Sequence, residues 1–100
     1  MEMSHTVSDG TCNVTLRGKF TFNDHPEFRG LLTQIEEGNA TRFVLNLSQV
    51  EFIDSAALGM LLLALDATEK HQKKLLLRGA EGQVRKMFEM ANFHTLFKME

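Results

Sequence analysis

Residues 56–65 form the longest uncharged apolar stretch in this 100-residue chain. A helix needs about 20 apolar residues to cross a bilayer, roughly twice the length of this stretch. A short run rich in leucine and alanine is instead typical of a helix in a protein core. We therefore predict a buried helix here, and the rest of the chain must supply the layers that cover it.

The first helix along the chain is indicated by apolar residues spaced three and four positions apart, so the helix over residues 56–65 is the second. These residues are Phe28, Leu31, Leu32 and Ile35. Asp24 and Glu27 have the spacing of a capping box, and Pro26 suits a first helical turn. Gly38 supplies a stop signal. A third helix is predicted near the C-terminus by the same spacing in Val84, Met87, Phe88 and Ala91.

β-favouring segments alternate with these helices. Residues 12–16 alternate apolar and polar side chains, which predicts a half-buried strand that Gly18 ends or bends. Residues 43–47 and 75–77 are almost continuously apolar and predict buried strands, and residues 97–99 predict a short last strand. Strands joined by helical crossovers lie parallel, and the early β-rich part can add antiparallel strands. The sequence therefore predicts an α/β (α+β) fold, with a mixed sheet of about four to five strands and three or more helices.

Length and charge limit the classes of function. One hundred residues fit a single domain spanning residues 1–100. With 11 Lys+Arg and 13 Asp+Glu, the net charge of −2 gives no strong positive field, so nucleic acid is not expected as a ligand. Residues 1–10 carry charges and no apolar run, so they do not resemble a secretory signal. We expect a cytoplasmic protein without direct membrane insertion.

Residues that could support catalysis or metal binding are not grouped in the sequence. Cys12 is the only cysteine, which excludes an intrachain disulfide and indicates a small buried apolar residue. The four histidines are far apart, and no pair has the spacing of metal ligands. The glycines form no phosphate-binding loop, and no serine lies in a Gly-x-Ser-x-Gly elbow. We predict no catalytic residue, no metal site and no cofactor.

The most distinctive pattern lies in residues 44–59, where a hydrophobic strand and a short loop through Glu51 precede Asp54-Ser55-Ala56-Ala57-Leu58-Gly59. This pattern resembles the STAS family, named for sulphate transporters and anti-sigma-factor antagonists. The family signature is a strand, a loop, and Asp-Ser-Ser-Gly-Leu-Gly or a close variant. Residues 16–20 resemble the family's early Leu-x-Gly-x-Leu turn, and residues 84–93 its third-helix region. The resemblance covers nearly the whole chain.

The resemblance implies that Ser55 is the phosphorylated residue, with Asp54 beside it at the start of the second helix. Ala56-Ala57 replaces the usual Ser-Gly, so Ser55 is the only hydroxyl acceptor in the motif. The acidic residue usual after the early turn is Thr21 here, with Asp24 three residues on. Thr21 and Asp24 are therefore expected beside the switch, and whether Asp24 takes the acidic role stays open.

Physical chemistry favours a switch at this position without requiring the fold to break. A helix N-terminus accommodates an anion because its first N–H groups are free and its dipole is positive there. A phosphate would add about −1.5 to −2 charges beside Asp54 and near Glu51, which can repel a docked surface. The simpler interpretation is that the Asp54-Ser55 pair only caps the helix.

The second helix is predicted to present two different apolar faces. Leu58, Leu61, Leu62 and Leu65 form a stripe expected to pack on the sheet. The opposite face contains Ala56, Met60, Leu63 and Ala67. This face, together with Glu51, is the predicted partner-binding surface unless another helix covers it.

Three functional classes follow from these observations. The favoured class is a phosphorylation-switched regulator for which the resemblance implies an anti-sigma factor or serine kinase as partner, and a phosphatase. The second is a STAS subunit of a membrane transporter or lipid-transport ATPase that acts without phosphorylation. The third is a phosphoacceptor at Asp54, as in receiver domains, but the acidic pair that such domains carry near their first strand is missing. The sequence does not predict the oligomeric state.

Overall fold

The computed structural model describes all 100 residues and contains one five-stranded mixed sheet. The strands are β1 (Glu2–Ser8), β2 (Thr11–Phe20), β3 (Arg42–Ile53), β4 (Lys74–Arg78) and β5 (Lys98–Met99), and they lie in chain order across the sheet. Strands β1 and β2 are antiparallel, whereas all later neighbours are parallel. The predicted mixed sheet of four to five strands is confirmed.

Three α-helices connect the parallel strands. They are α1 (His25–Glu37), α2 (Ser55–Lys70) and α3 (Gly82–Met90), and short 3₁₀ turns occupy Phe22–Asp24 and Phe93–Thr95. All three helices lie where the apolar spacing predicted them. None of them is both long enough and apolar enough to span a membrane.

The hairpin between β1 and β2 has a clear local cause. Asp9 and Gly10 both have positive φ angles, 50° and 78°, as the two central residues of a type I′ turn require. Strand β1 itself carries mostly exposed polar residues. No apolar alternation marked it in the sequence, so the antiparallel addition was predicted only in general terms.

The sheet and helices share a hydrophobic core of 24 buried residues. Strand β2 contributes every second residue to it, namely Cys12, Val14 and Leu16, which confirms the predicted alternation. Burial raises the pKa of the Cys12 thiol above its ordinary value by disfavouring the thiolate. On the central strand β3, the consecutive residues Phe43, Val44 and Leu45 are all buried, as predicted.

Of the two outcomes predicted at Gly18, an end or a bend of strand β2, the structure has the bend, since Gly18 has a φ of 90° and the register with β3 shifts on either side of it. The loop predicted through Glu51 is wrong, because strand β3 continues through this residue to Ile53. The polar residues that suggested a loop lie along a strand whose pairing with β2 is irregular.

The predicted capping box is also placed differently. Asp24 is the N-cap of α1, but its side chain makes no bond to the first turn of that helix. The reciprocal bonds of a capping box instead join Thr21 and Asp24 around the preceding 3₁₀ turn. The chain therefore enters α1 through an extra turn, which lies beside the start of α2.

Candidate functional site

The candidate site lies where the parallel strands β2 and β3 end side by side. Phe20 and Ile53 are paired in the register, and the backbone N–H of Asp54 donates to the carbonyl of Phe20 over 3.3 Å. The β2–α1 turn and the start of α2 therefore adjoin each other. The carboxyl edge of parallel strands is the usual position of functional sites in α/β proteins.

Asp54 connects these two segments through both of its carboxylate oxygens. Its Oδ1 accepts a hydrogen bond from the N–H of Ala57 over 2.9 Å, which caps α2. Its Oδ2 accepts from the N–H of Phe22 over 3.1 Å, which ties the β2–α1 turn to the helix start. Of the Asp54-Ser55 pair predicted to cap the helix, Asp54 makes the capping bond, and the link to Phe22 is an additional role for its side chain.

Ser55 is the first residue of α2, and it is exposed. Its hydroxyl takes no part in the side-chain capping of the helix, because Asp54 makes that bond. The N–H groups of the first helical turn point toward the same end of α2. The structure thus contains an accessible hydroxyl at a helix N-terminus, with no structural bond that its modification would break.

Thr21 and Asp24 lie in the turn that Asp54 holds. Asp24 is buried, and its Oδ2 accepts from the N–H of Thr21 over 2.8 Å. Its Oδ1 forms an ion pair with the amino group of Met1 at 3.0 Å. Asp24 therefore stabilises the turn, while Asp54 supplies the carboxylate that caps α2.

Phe22 was not singled out by the sequence, but its ring is 68% exposed. Its backbone is held beside Asp54. An exposed aromatic side chain on a backbone that is fixed in this way is typical of a contact residue. No periodic pattern includes Phe22, because it lies in a turn, and so only the structure identifies it.

Gln83 was also not identified from the sequence. Its side chain extends from α3 to the last residue of β3, where Oε1 accepts from the N–H of Ile53 over 2.9 Å. Its Nε2 donates to the carbonyl of Ile53 over 2.9 Å as well. Ile53 directly precedes Asp54, so α3 also contacts the segment that leads into α2.

The prediction of the partner-binding face of α2 is wrong, because part of this face is turned into the core. Met60 and Ala67 are buried, with 4% and 8% of their surface exposed, and they belong to the hydrophobic core. Helix α1 packs against α2 on this side, since Leu32 of α1 lines a shared groove with Leu63 and Ala67. The covering helix that the sequence left as an alternative is therefore present.

The accessible side of α2 is a stripe that begins at Ser55. We call it the exposed α2 stripe, and its members are Ser55, Gly59, Leu62, Leu63 and Asp66. Of the predicted binding face, Leu63 is half exposed and Ala56 is partly buried. Glu51 is exposed near the end of β3.

Two other features lie outside this site. A separate surface groove of about 650 Å³ is lined by residues of β4, α3 and the C-terminus, among them Phe88 and Met99. No group of three or more histidine, cysteine, aspartate or glutamate side chains converges in a geometry that could hold a metal ion.

Together, the fold and the site define a small mixed α/β module whose second helix starts at an aspartate cap and an exposed serine. The sequence profile of the family described as "Mlab, STAS domain" matches residues 3–98. The chain belongs to the STAS family.

Its relatives include two bacterial proteins from different genera. A STAS-domain containing protein of Pseudomonas aeruginosa is 33% identical over 86 residues, which cover 86% of this chain and 84% of that protein. An anti-sigma-B factor antagonist of Staphylococcus aureus is 24% identical over 96 residues, covering 96% of this chain and 89% of the relative.

A solved structure with the same fold is that of the Bacillus cell-fate determinant SpoIIAA in its phosphorylated form. It aligns with a TM-score of 0.77 and 20% identity, covering 99% of this chain and 91% of that chain. This likeness supports the assignment of the fold.

Proposed function

We propose that this protein is a regulator of the anti-sigma-factor antagonist type, which binds a partner protein according to the phosphorylation state of Ser55. The observation on which the proposal rests is that Asp54 and Ser55 have different roles at the start of α2. Asp54 makes the capping bond, and Ser55 keeps an exposed hydroxyl. A serine needed only as a helix cap would have its side-chain oxygen bonded to the first turn.

The electrostatics of the helix start support a switch that acts on binding while the fold persists. A phosphate on Ser55 would meet the positive end of a 16-residue helix, where an anion is favourable. It would also add about −1.5 to −2 charges beside the carboxylate of Asp54. The negative charge of the surface around Ser55 would then increase strongly.

The surface that would respond to this charge is Phe22 together with the exposed α2 stripe. Phe22, Leu62 and Leu63 are 68%, 41% and 50% exposed. The backbone of Phe22 is bonded to Asp54, and the two leucines lie about two turns from Ser55 along the helix. Apolar anchors of this kind bind a complementary apolar groove, which a nearby dianion would disfavour through its desolvation cost. We propose that the unphosphorylated form is the binding form.

The proposed partner proteins are inferred from the names of the relatives and not from the geometry of the site. Because a relative is named as an anti-sigma-B factor antagonist, we propose an anti-sigma factor as the partner. A serine kinase would add the phosphoryl group and a phosphatase would remove it. In this proposal the protein acts in the cytoplasm by binding alone, without turnover of a substrate.

The test is to identify the partner and then measure its affinity for four forms of the protein. Tagged Ser55→Ala protein is expressed in the organism that encodes it, and the retained protein is identified by mass spectrometry. Calorimetry then compares the wild type, Ser55→Ala, Ser55→Asp and the phosphorylated protein. The first two should bind alike, Ser55→Asp more weakly and the phosphorylated form weakest, with circular dichroism showing that all four are folded.

Equal affinity of all four forms would contradict the switch. The STAS-subunit alternative, in which the protein serves a membrane transporter or lipid-transport ATPase without phosphorylation, would then be favoured. Identification of a transport ATPase as the retained protein would point to the same conclusion.

A further inference from the structure

We propose that Gln83 is a positioning residue that fixes the start of α2 from the neighbouring helix α3. Gln83 would determine how Asp54 and Ser55 are held, and its effect on function rests on the proposed switch at Ser55. The reason lies in the edge of β3, which extends beyond its neighbour β4.

The last pair between β3 and β4 joins Asn46 and Arg78, after which β4 ends and β3 continues to Ile53. On the other side, β3 remains paired with β2 as far as Ile53, and the N–H of Asp54 donates to Phe20. Backbone groups of successive strand residues point to opposite neighbours. The N–H and carbonyl of Ile53 therefore point toward the side that β4 has left open.

Ile53 is completely buried, so water cannot readily satisfy these two groups. The primary amide of Gln83 satisfies both, with its oxygen accepting from the N–H and its nitrogen donating to the carbonyl, each over 2.9 Å. A primary amide carries a donor and an acceptor side by side, as a strand backbone does. Gln83 thus takes the place of the missing strand.

The position of Ile53 determines which groups the two hydrogen bonds from Gln83 hold in place. Its carbonyl belongs to the peptide that carries Asp54, and Asp54 caps α2 and holds the turn at Phe22. The end of β3 is therefore fixed by Phe20 on one side and by Gln83 on the other. Releasing Gln83 should let the peptide before Asp54 move, and with it the hydroxyl of Ser55.

The first test is structural and does not depend on phosphorylation. Gln83→Met keeps the length of the side chain but removes both hydrogen bonds, and Gln34→Met is the matched control, because Gln34 lies exposed on α1 and its side chain makes no hydrogen bond. In Gln83→Met, amide exchange at Ile53 should accelerate by about tenfold or more. The NMR amide signals of Ser55 and Ala57 should shift as well, and Gln34→Met should change neither. Unchanged signals and exchange in Gln83→Met would overturn the proposal.

A second variant, Gln83→Glu, separates positioning from general packing and serves if Gln83→Met does not fold. A protonated carboxyl at this position offers one donor and one acceptor, whereas the ionised form has only acceptors and would face the carbonyl of Ile53. Gln83→Glu should therefore resemble the wild type at low pH and lose protection at Ile53 as the new carboxyl ionises. The nearby carboxyls of Asp24, Asp54 and Glu81 are present in both proteins, so the difference between the two pH profiles reports the substituted side chain. Identical profiles would contradict the role.

The functional test compares phosphate occupancy of Ser55 in cells expressing the wild type, Gln83→Met or Gln34→Met. A lower occupancy in Gln83→Met alone supports positioning, and equal occupancy in all three contradicts it. If the wild type carries no phosphate, the proposed switch fails, while the exchange and NMR measurements still decide whether Gln83 holds the helix start.

Discussion

The two sides of α2 differ in a way that their hydrophobicity does not suggest. The buried side consists largely of small or flexible residues, namely Ala57, Met60, Leu61, Ala64, Ala67 and Thr68. The exposed α2 stripe carries two leucines, at positions 62 and 63, that remain 41% and 50% exposed. Apolar side chains as large as the buried Leu61 are therefore also present on the outside of this helix.

Packing distance accounts for the difference. Alanines allow α2 to lie close to α1 and β4, and Met60 fills the irregular space that remains. Larger side chains in place of these alanines would hold the helix further away. The two exposed leucines lie about two helical turns from Ser55 on the exposed α2 stripe, and we propose that they serve binding.

Met60→Glu should disrupt the packing of the buried side of α2 and cause the largest loss in the free energy of unfolding. Ionised glutamate would have no partner in the core, and the loss should be about 4 kcal/mol or more, a large part of a small domain's stability. Urea unfolding followed by circular dichroism measures it, with Met60→Leu as the volume-conserving control at less than about 1.5 kcal/mol. A folded Met60→Glu protein of wild-type stability would show that this side is not core.

Asp54→Ala should have the second largest effect, because it removes the cap of α2 and the link to Phe22 together. We expect a loss of about 1–3 kcal/mol in the free energy of unfolding. Asp66→Ala is the matched control, since Asp66 is exposed in the same helix and its ion pair with Lys70 should contribute at most about 0.5 kcal/mol. Equal losses in the two variants would mean that Asp54 does not hold the helix start.

Leu63→Glu should have a smaller effect on the fold than the two changes above. The side chain is half exposed, so the loss in the free energy of unfolding should be about 1 kcal/mol, and helix propensity is nearly conserved. Partner affinity, measured by calorimetry, should nevertheless fall. Unfolding would assign Leu63 to the core, and unchanged affinity would remove it from the binding surface.

Much of this molecule could be predicted from its sequence because local signals agreed with the fold. Strand β2 alternates, the central strand is continuously apolar, and Asp54 is a favoured cap residue at the start of an apolar helix. Each of these features depends on a few neighbouring residues, and each is present in the structure.

The rest depended on contacts that sequence spacing does not contain. Helix α2 is apolar over most of its circumference, so its pattern could not decide which side faces α1. Polar residues in β1 and in the extension of β3 interrupt the apolar pattern that would have predicted these strand segments. Gln83 is a polar residue on an otherwise ordinary amphipathic helix. Its role depends on β4 ending before β3, which the sequence pattern does not indicate.

The proposed switch is tested most directly by measuring whether Ser55 carries a phosphoryl group. Wild-type protein and Ser55→Ala, isolated from the organism that encodes them, are compared by intact mass and by peptide mapping, with and without phosphatase treatment. Because Asp54 makes the cap, Ser55→Ala should fold with wild-type stability to within about 0.5 kcal/mol. The account predicts a fraction of wild-type protein carrying one phosphoryl group on Ser55, removable by phosphatase and absent from Ser55→Ala. A phosphoryl group on a different residue, or its absence across growth and stress conditions, would contradict the central claim.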